Sequence, residues 1–150
     1  MIAKVQEEMI ERVLKLGDIS CRRYYGELAN PKMPKLKTGE FPLVLIDFVG
    51  DKPKDASRVT LIFNIYIVHI SYSANVHTRA KKHQEVLSLI EIVDRTVSLP
   101  FNTSIVVLRN LKKIYDGVSD KGYLSVFMRQ IELTHNRKYA LPQEEVSQNL

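Results

Sequence analysis

"RVTLIFNIYIVHISYS", residues 58–73, contains no Gly, no Pro and, after Arg58, no formal charge. At a rise of roughly 3.3 Å per residue, sixteen extended residues would span about 53 Å. A compact chain of this length has a radius of gyration of about 15 Å and a diameter of roughly 38 Å. A straight strand of that length would outreach the domain around it. Its odd positions, Val59, Leu61, Phe63, Ile65 and Ile67, form an unbroken apolar row. The even row runs Arg58, Thr60, Ile62, Asn64, Tyr66, Val68, Ile70, Tyr72 and becomes apolar just as the odd row passes to His69, Ser71 and Ser73. A strand that exchanges its wet and dry faces in this way predicts a bulge or strong bend near residue 68. Two covers for the second row are open: a neighbouring subunit, or the loop at 29–41 folding back. The expectation is the neighbour, with Tyr66, Val68, Ile70 and Tyr72 as the oligomer interface.

Working outward, "PLVLIDFVG" (42–50) is apolar on both faces, as strands in the middle of a sheet are. "DKPKDAS" is a polar turn between the two. Upstream, Ile2, Val5, Met9, Val13 and Leu16 recur at helical spacing, and Gly17 is suited to end the helix. "ISCRRYYGEL" (19–28) predicts a short first strand. "ANPKMPKLKTGEF" (29–41), with Pro31, Pro34 and Gly39, is a loop by composition. Downstream, Ala80, His83, Leu87, Ile90, Val93 and Val97 form a helical stripe over 78–98, closed by Pro100. Residues 104–133 then predict two strands around a polar turn at Asp116–Gly122. The expected architecture is α+β: a mostly antiparallel sheet of four or five strands with both helices packed on one face. Residues 1–139 make one domain, and 140–150 a flexible C-terminal tail with little to bury.

Composition narrows the function classes. The 150 residues are 45 % hydrophobic and 26 % charged, which suits one globular domain. Glu7, Glu8 and Glu11 lie where a signal peptide would be apolar, and the stretch is short for a membrane span, so no membrane association is expected. The lone Cys21 excludes an internal disulfide and a Cys-rich zinc site.

The net charge of +5 raises the question of a polyanionic partner. The basic residues are scattered in pairs, however, such as Arg22 with Arg23 and Lys112 with Lys113, which weighs against direct nucleic-acid binding. The densest cluster, Lys32, Lys35 and Lys37, lies in the Pro-interrupted loop and is the candidate basic loop.

No catalytic, cofactor-binding or metal site is expected. His77 and His83 are six apart, not the four that would align two ligands on a helix. His69 and His135 lie on separate strands. Acidic pairs such as Asp51 with Asp55, or Glu144 with Glu145, fall in a turn and in the tail, where solvation explains them. No phosphate-binding glycine loop or nucleophile elbow is present, and Cys21 alone does not make a nucleophile. Tyr24, Tyr25, Tyr66 and Tyr72 are better read as covering sheet than as base-stacking platforms.

The succession of "YYGEL" (24–28), "FPLVLIDFVG" (41–50), "LIFNIYIVHIS" (61–71), the helix "HQEVLSLIEIVDRTVSL" (83–99) and the closing pair "LRNLKKIYDGVSDKGYLSVFMRQIEL" (108–133), after an amphipathic N-terminal helix, resembles the tail-terminator (tail-completion) proteins of Mu-like phages and prophages. The resemblance covers roughly residues 1–138 and rests on element order and hydrophobic texture. The connection "SANVHTRAKKHQ" (73–84) departs from it in being poor in Gly. The resemblance implies a non-enzymatic virion assembly protein without cofactors. Such a protein forms a ring, a homohexamer, that caps the tail tube protein, stops its polymerisation and presents the surface for the head–tail connector or neck protein. It implies location in the host cytoplasm during assembly and in the virion tail afterwards. A neck or connector protein and a basic nucleic-acid-binding domain are the alternatives.

Overall fold

A computed structural model of the chain describes residues 2–37, 39–72, 75–101 and 104–136. The expected tail at 140–150 lies outside the described residues. The order is α1 (Ile2–Leu14), β1 (Ser20–Arg23), β2 (Leu43–Pro53), β3 (Arg58–Ser71), α2 (Val76–Val97), β4 (Ile105–Ser119) and β5 (Gly122–Asn136). The fold is α+β, with one five-stranded sheet in the order β1-β2-β3-β5-β4. Three of the pairings are antiparallel, and β1 lies parallel to β2.

Alternation along β3 sorts the apolar residues into two layers. Leu61, Phe63, Ile65 and Ile67 join Val44 and Ile46 of β2 and Phe127, Ile131 and Leu133 of β5 in the main core. Val5, Met9 and Val13 of α1 and Val86, Ile90, Val93 and Val97 of α2 pack into the same cluster. Both helices therefore cover the face of the sheet to which the odd row points. Each apolar stripe recurs every three or four residues, so one side of each helix reaches the sheet and the other stays wet. Asn75 caps α2, its side chain accepting from the N–H groups of His77 and Thr78, so the helix begins two residues before the sequence periodicity. Arg129 of β5 forks onto Asp94 of α2 with N–O distances of 3.0 and 2.7 Å, tying helix to sheet.

Four sequence expectations are corrected. The face exchange in β3 involves no bulge, because β3 pairs with β5 in unbroken register from Arg58↔Asn136 to Ser71↔Tyr123. The irregularities fall instead between Phe48 and Gly50 in β2 and at two points in β4. Leu16 and Leu87 are exposed rather than part of the helical stripes, because α1 stops at Leu14 and Val86 takes the core position. Ala80 is also exposed. The β4–β5 turn is confined to Asp120 and Lys121, and Asp116–Ser119 continue the strand.

Cys21 is buried beside α1, and desolvation pushes its thiol up to about 12. Phe63 lies fully buried at the centre of the main cluster. Phe63→Ala is expected to lower stability by about 3–5 kcal/mol through the cavity it leaves, read as a shift in the urea midpoint with an unchanged slope.

Candidate oligomer interface

The proposed interface row is not brought together on the surface. Val68 is 0 % and Ile70 3 % exposed within the single chain. Together with Leu43 and Leu45 of β2 and Leu124 and Val126 of β5, they form a second core cluster on the face away from the helices. Leu28 and Leu36 close it from outside, with Tyr24, Phe41, Tyr66 and Tyr115 at its margin. Tyr66 is half-buried, its ring 4.8 Å from that of Tyr24. Tyr72 is the exception, 63 % exposed just beyond the end of β3. The expected exposed row is thus corrected to an internal layer, covered by the segment between β1 and β2.

That segment is held by charge as well as by Leu28 and Leu36. Arg22 of β1 donates through Nε to Glu27 at 3.2 Å and through its terminal nitrogens to Glu40, so one guanidinium grips the segment near both ends. Glu27 is buried and also accepts from the Tyr25 N–H, while Glu40 accepts from the Lys37 N–H. Burial alone would raise the Glu40 pKa, but Arg22 and the Lys37 N–H together hold it below the ordinary carboxylate value. Lys32, Lys35 and Lys37 are exposed, the latter two alternating with buried Pro34 and Leu36. The Lys32 carbonyl accepts from the Asp120 N–H at 2.8 Å, which fastens the basic loop to the β4–β5 turn.

The surface left over is one that sequence patterning missed. β4 is a fifteen-residue strand at the edge of the sheet, and none of its residues is buried. Ile105, Val107, Leu108, Leu111, Ile114 and Val118 are all exposed, Ile105 at 65 % and Val118 at 72 %. The signal that could have marked it is the charge within the strand: Arg109, Lys112 and Lys113 interrupt an otherwise apolar run, a pattern common in edge strands.

Beside β4, the second face is uncovered over the first half of β3. There a cavity of about 620 Å³ is lined by Lys52, Arg58, Ile105, Val107, Arg109 and Glu132, among others. Glu132 is held from two sides by Lys52 and Arg109, both at 3.3 Å. Burial would raise its pKa, but these two cations keep it low.

Among the described residues, no group of three or more His, Cys, Asp or Glu is placed to hold a metal ion, and no helix is long and apolar enough to cross a membrane. Compared with protein-family models and with curated proteins, the chain matches none.

Three outcomes follow from the covered row. Ile70→Asp is expected to unfold the subunit much as Ile65→Asp does, since each places an unpaired charge in a core layer, and circular dichroism separates this from loss of assembly alone. Arg22→Gln strands two carboxylates and is expected to cost about 1–3 kcal/mol, less than the loss from a fully buried pair because Arg22 is 37 % exposed. Because Glu40 titrates lower in the folded chain than in the unfolded one, its contribution is complete above the ordinary carboxylate pKa and is lost as the pH falls through the folded value. Hydrogen-exchange protection at 24–41 should therefore fall between neutral pH and about pH 3, while protection in β3 persists.

Proposed function

We propose that this chain is a structural subunit of a phage tail, a tail-terminator-like protein. Copies close into a ring on the end of the finished tail tube, stop its polymerisation and present the surface to which the head–tail connector joins. The observation that carries this reading is β4: a long edge strand whose outer N–H and C=O groups have no partner strand among the described residues and whose six exposed apolar side chains await cover. A strand of this kind is an aggregation hazard in a lone subunit and an asset in an assembly. The two irregularities in β4, with Lys112 and Lys113, blunt it against indiscriminate pairing. The sheet's other edge is the four-residue β1, so the two edges differ. A closed ring is built from two different patches meeting head to tail, and such unlike edges suit that geometry. The resemblance supplies the ring size of six and the tube-end location, and the element order on which it rests is the order of the fold.

In this reading the protein works in the host cytoplasm during assembly and remains in the virion tail, with the tube protein and the neck protein as partners. Val107→Lys and Leu111→Lys are the test. Both sites are exposed, so stability should change by no more than about 0.5 kcal/mol. Sedimentation should show a closed ring for the wild type and a monomer for each variant, and electron microscopy should show capped tube ends only with the wild type. A wild-type two-fold dimer through β4–β4 pairing, or a strict monomer that leaves tube ends bare, overturns the proposal.

A further inference from the structure

On the helix side of the sheet, where β3 and β5 meet the first turns of α2, lies a second cavity of about 310 Å³. Its lining includes His69 and Ser71 of β3, Arg79 and Lys82 of α2, and Lys113 and Asp116 of β4. Three buried polar atoms here have no hydrogen-bond partner among the described residues: Ser71 Oγ, His69 Nδ1 and Arg79 Nε. Ser71 is 7 % exposed, so its hydroxyl is largely shielded from water and has no partner among the described residues. Buried groups left unsatisfied in this way are rare in folded proteins and ask for a ligand. Arg79 Nε can only donate, while Ser71 Oγ and, in one tautomer, His69 Nδ1 can donate as well, so a single acceptor group would satisfy all three.

Charge says what kind of acceptor. The lining carries three cations and one carboxylate, and with Glu85 set against Lys82 the formal surplus is one positive charge. Arg79 has no carboxylate partner among the described residues, and its guanidinium stacks on the Tyr123 ring at 4.8 Å, which orients it without neutralising it. Lys82 lies 3.5 Å from Glu85, and Lys113 lies 3.6 Å from Asp116, which also accepts from Ser125 Oγ. Asn75 occupies the free N–H groups of His77 and Thr78, so α2 contributes the positive end of its dipole rather than further donors.

We propose that this cavity binds a phosphate group, hydrogen-bonded by Ser71, His69 and Arg79 and balanced by Lys82 and Lys113. A phosphate carries about −1.5 to −2 charges at neutral pH and accepts through several oxygens, which suits the uncompensated Arg79, the two lysines beside it and the spread of donors. Burial, followed by the charge of Lys82, lowers the His69 pKa and favours the neutral ring, which donates to the ligand in the tautomer that carries its proton on Nδ1. The proposal does not depend on ring formation.

The same chemistry is offered by inorganic phosphate and by a nucleic-acid backbone, and nuclear magnetic resonance on the full chain separates them. One arm titrates inorganic phosphate against chloride at matched ionic strength. The other titrates a short single-stranded oligonucleotide. Saturable shifts at the Ser71 and Ser125 amides and at Arg79 Nε are expected, with binding about tenfold weaker in Arg79→Leu, the loss of one charge-assisted contact. Ser71→Ala should weaken binding while leaving the fold intact, because it deletes a hydroxyl that the empty chain does not use. If the oligonucleotide saturates the same signals at lower concentration, with affinity falling steeply with salt, the phosphate belongs to a nucleic acid. If only inorganic phosphate does so, the ligand is a small anion. The proposal is overturned if neither arm gives saturable shifts at these residues, or if both variants bind as the wild type does.

Discussion

Burial of β3 on both faces is the constraint from which the rest of the fold is built. A strand whose odd and even positions are both apolar needs two separate covers, since neither can reach around the sheet. Helices α1 and α2 provide one over Leu61, Phe63, Ile65 and Ile67. The segment between β1 and β2 provides the other over Val68 and Ile70. The second cover extends only part of the way, so the chain has three layers at one end of β3 and two at the other. Thr60, on the even row beyond the second cluster, is buried among polar neighbours and its Oγ1 bonds Thr134 Oγ1 at 2.8 Å.

The parallel pairing of β1 and β2 has the same origin. Parallel neighbours require a crossover rather than a hairpin, usually a helix laid on the sheet. Here the crossover is residues 24–42, an irregular stretch that does a helix's covering work with few apolar side chains. Leu28 and Leu36 enter the second cluster, and the Arg22 contacts to Glu27 and Glu40 fix the path between them. An irregular cover with two leucine anchors depends on that guanidinium far more than a helix would.

These details explain what was legible in the sequence. The odd row of β3, both amphipathic helices and the closing strands were readable because periodicity is local: the residues that decide it are neighbours in the chain. The mostly antiparallel α+β class followed from their order. The cover over Val68 and Ile70 was readable only as one of two alternatives, the loop at 29–41 or a neighbouring subunit, and the expectation fell on the neighbour. Pro31, Pro34 and Gly39 advertise turns, but where a loop comes to rest depends on partners tens of residues away. For the same reason the apolar residues of β4 were open to misreading as core. Only the strand order, which places β4 outermost, reveals that among the described residues Leu108 and Leu111 have no strand on their outer side. The phosphate cavity was equally hidden. Ser71, Arg79 and Lys113 carry no motif, and they become a set only when β3, α2 and β4 converge.

Cys21, the only thiol in the chain, sits on the thinnest strand of the sheet. Its burial beneath α1 and its elevated pKa leave almost no thiolate in the closed fold. Alkylation therefore has to wait for α1 to lift or for β1 to leave the sheet, and the second of these also loosens the Arg22 grip one residue along. The rate at which an electrophile labels the chain becomes a stopwatch for this edge, separating local breathing from global unfolding with no probe beyond the atom already present.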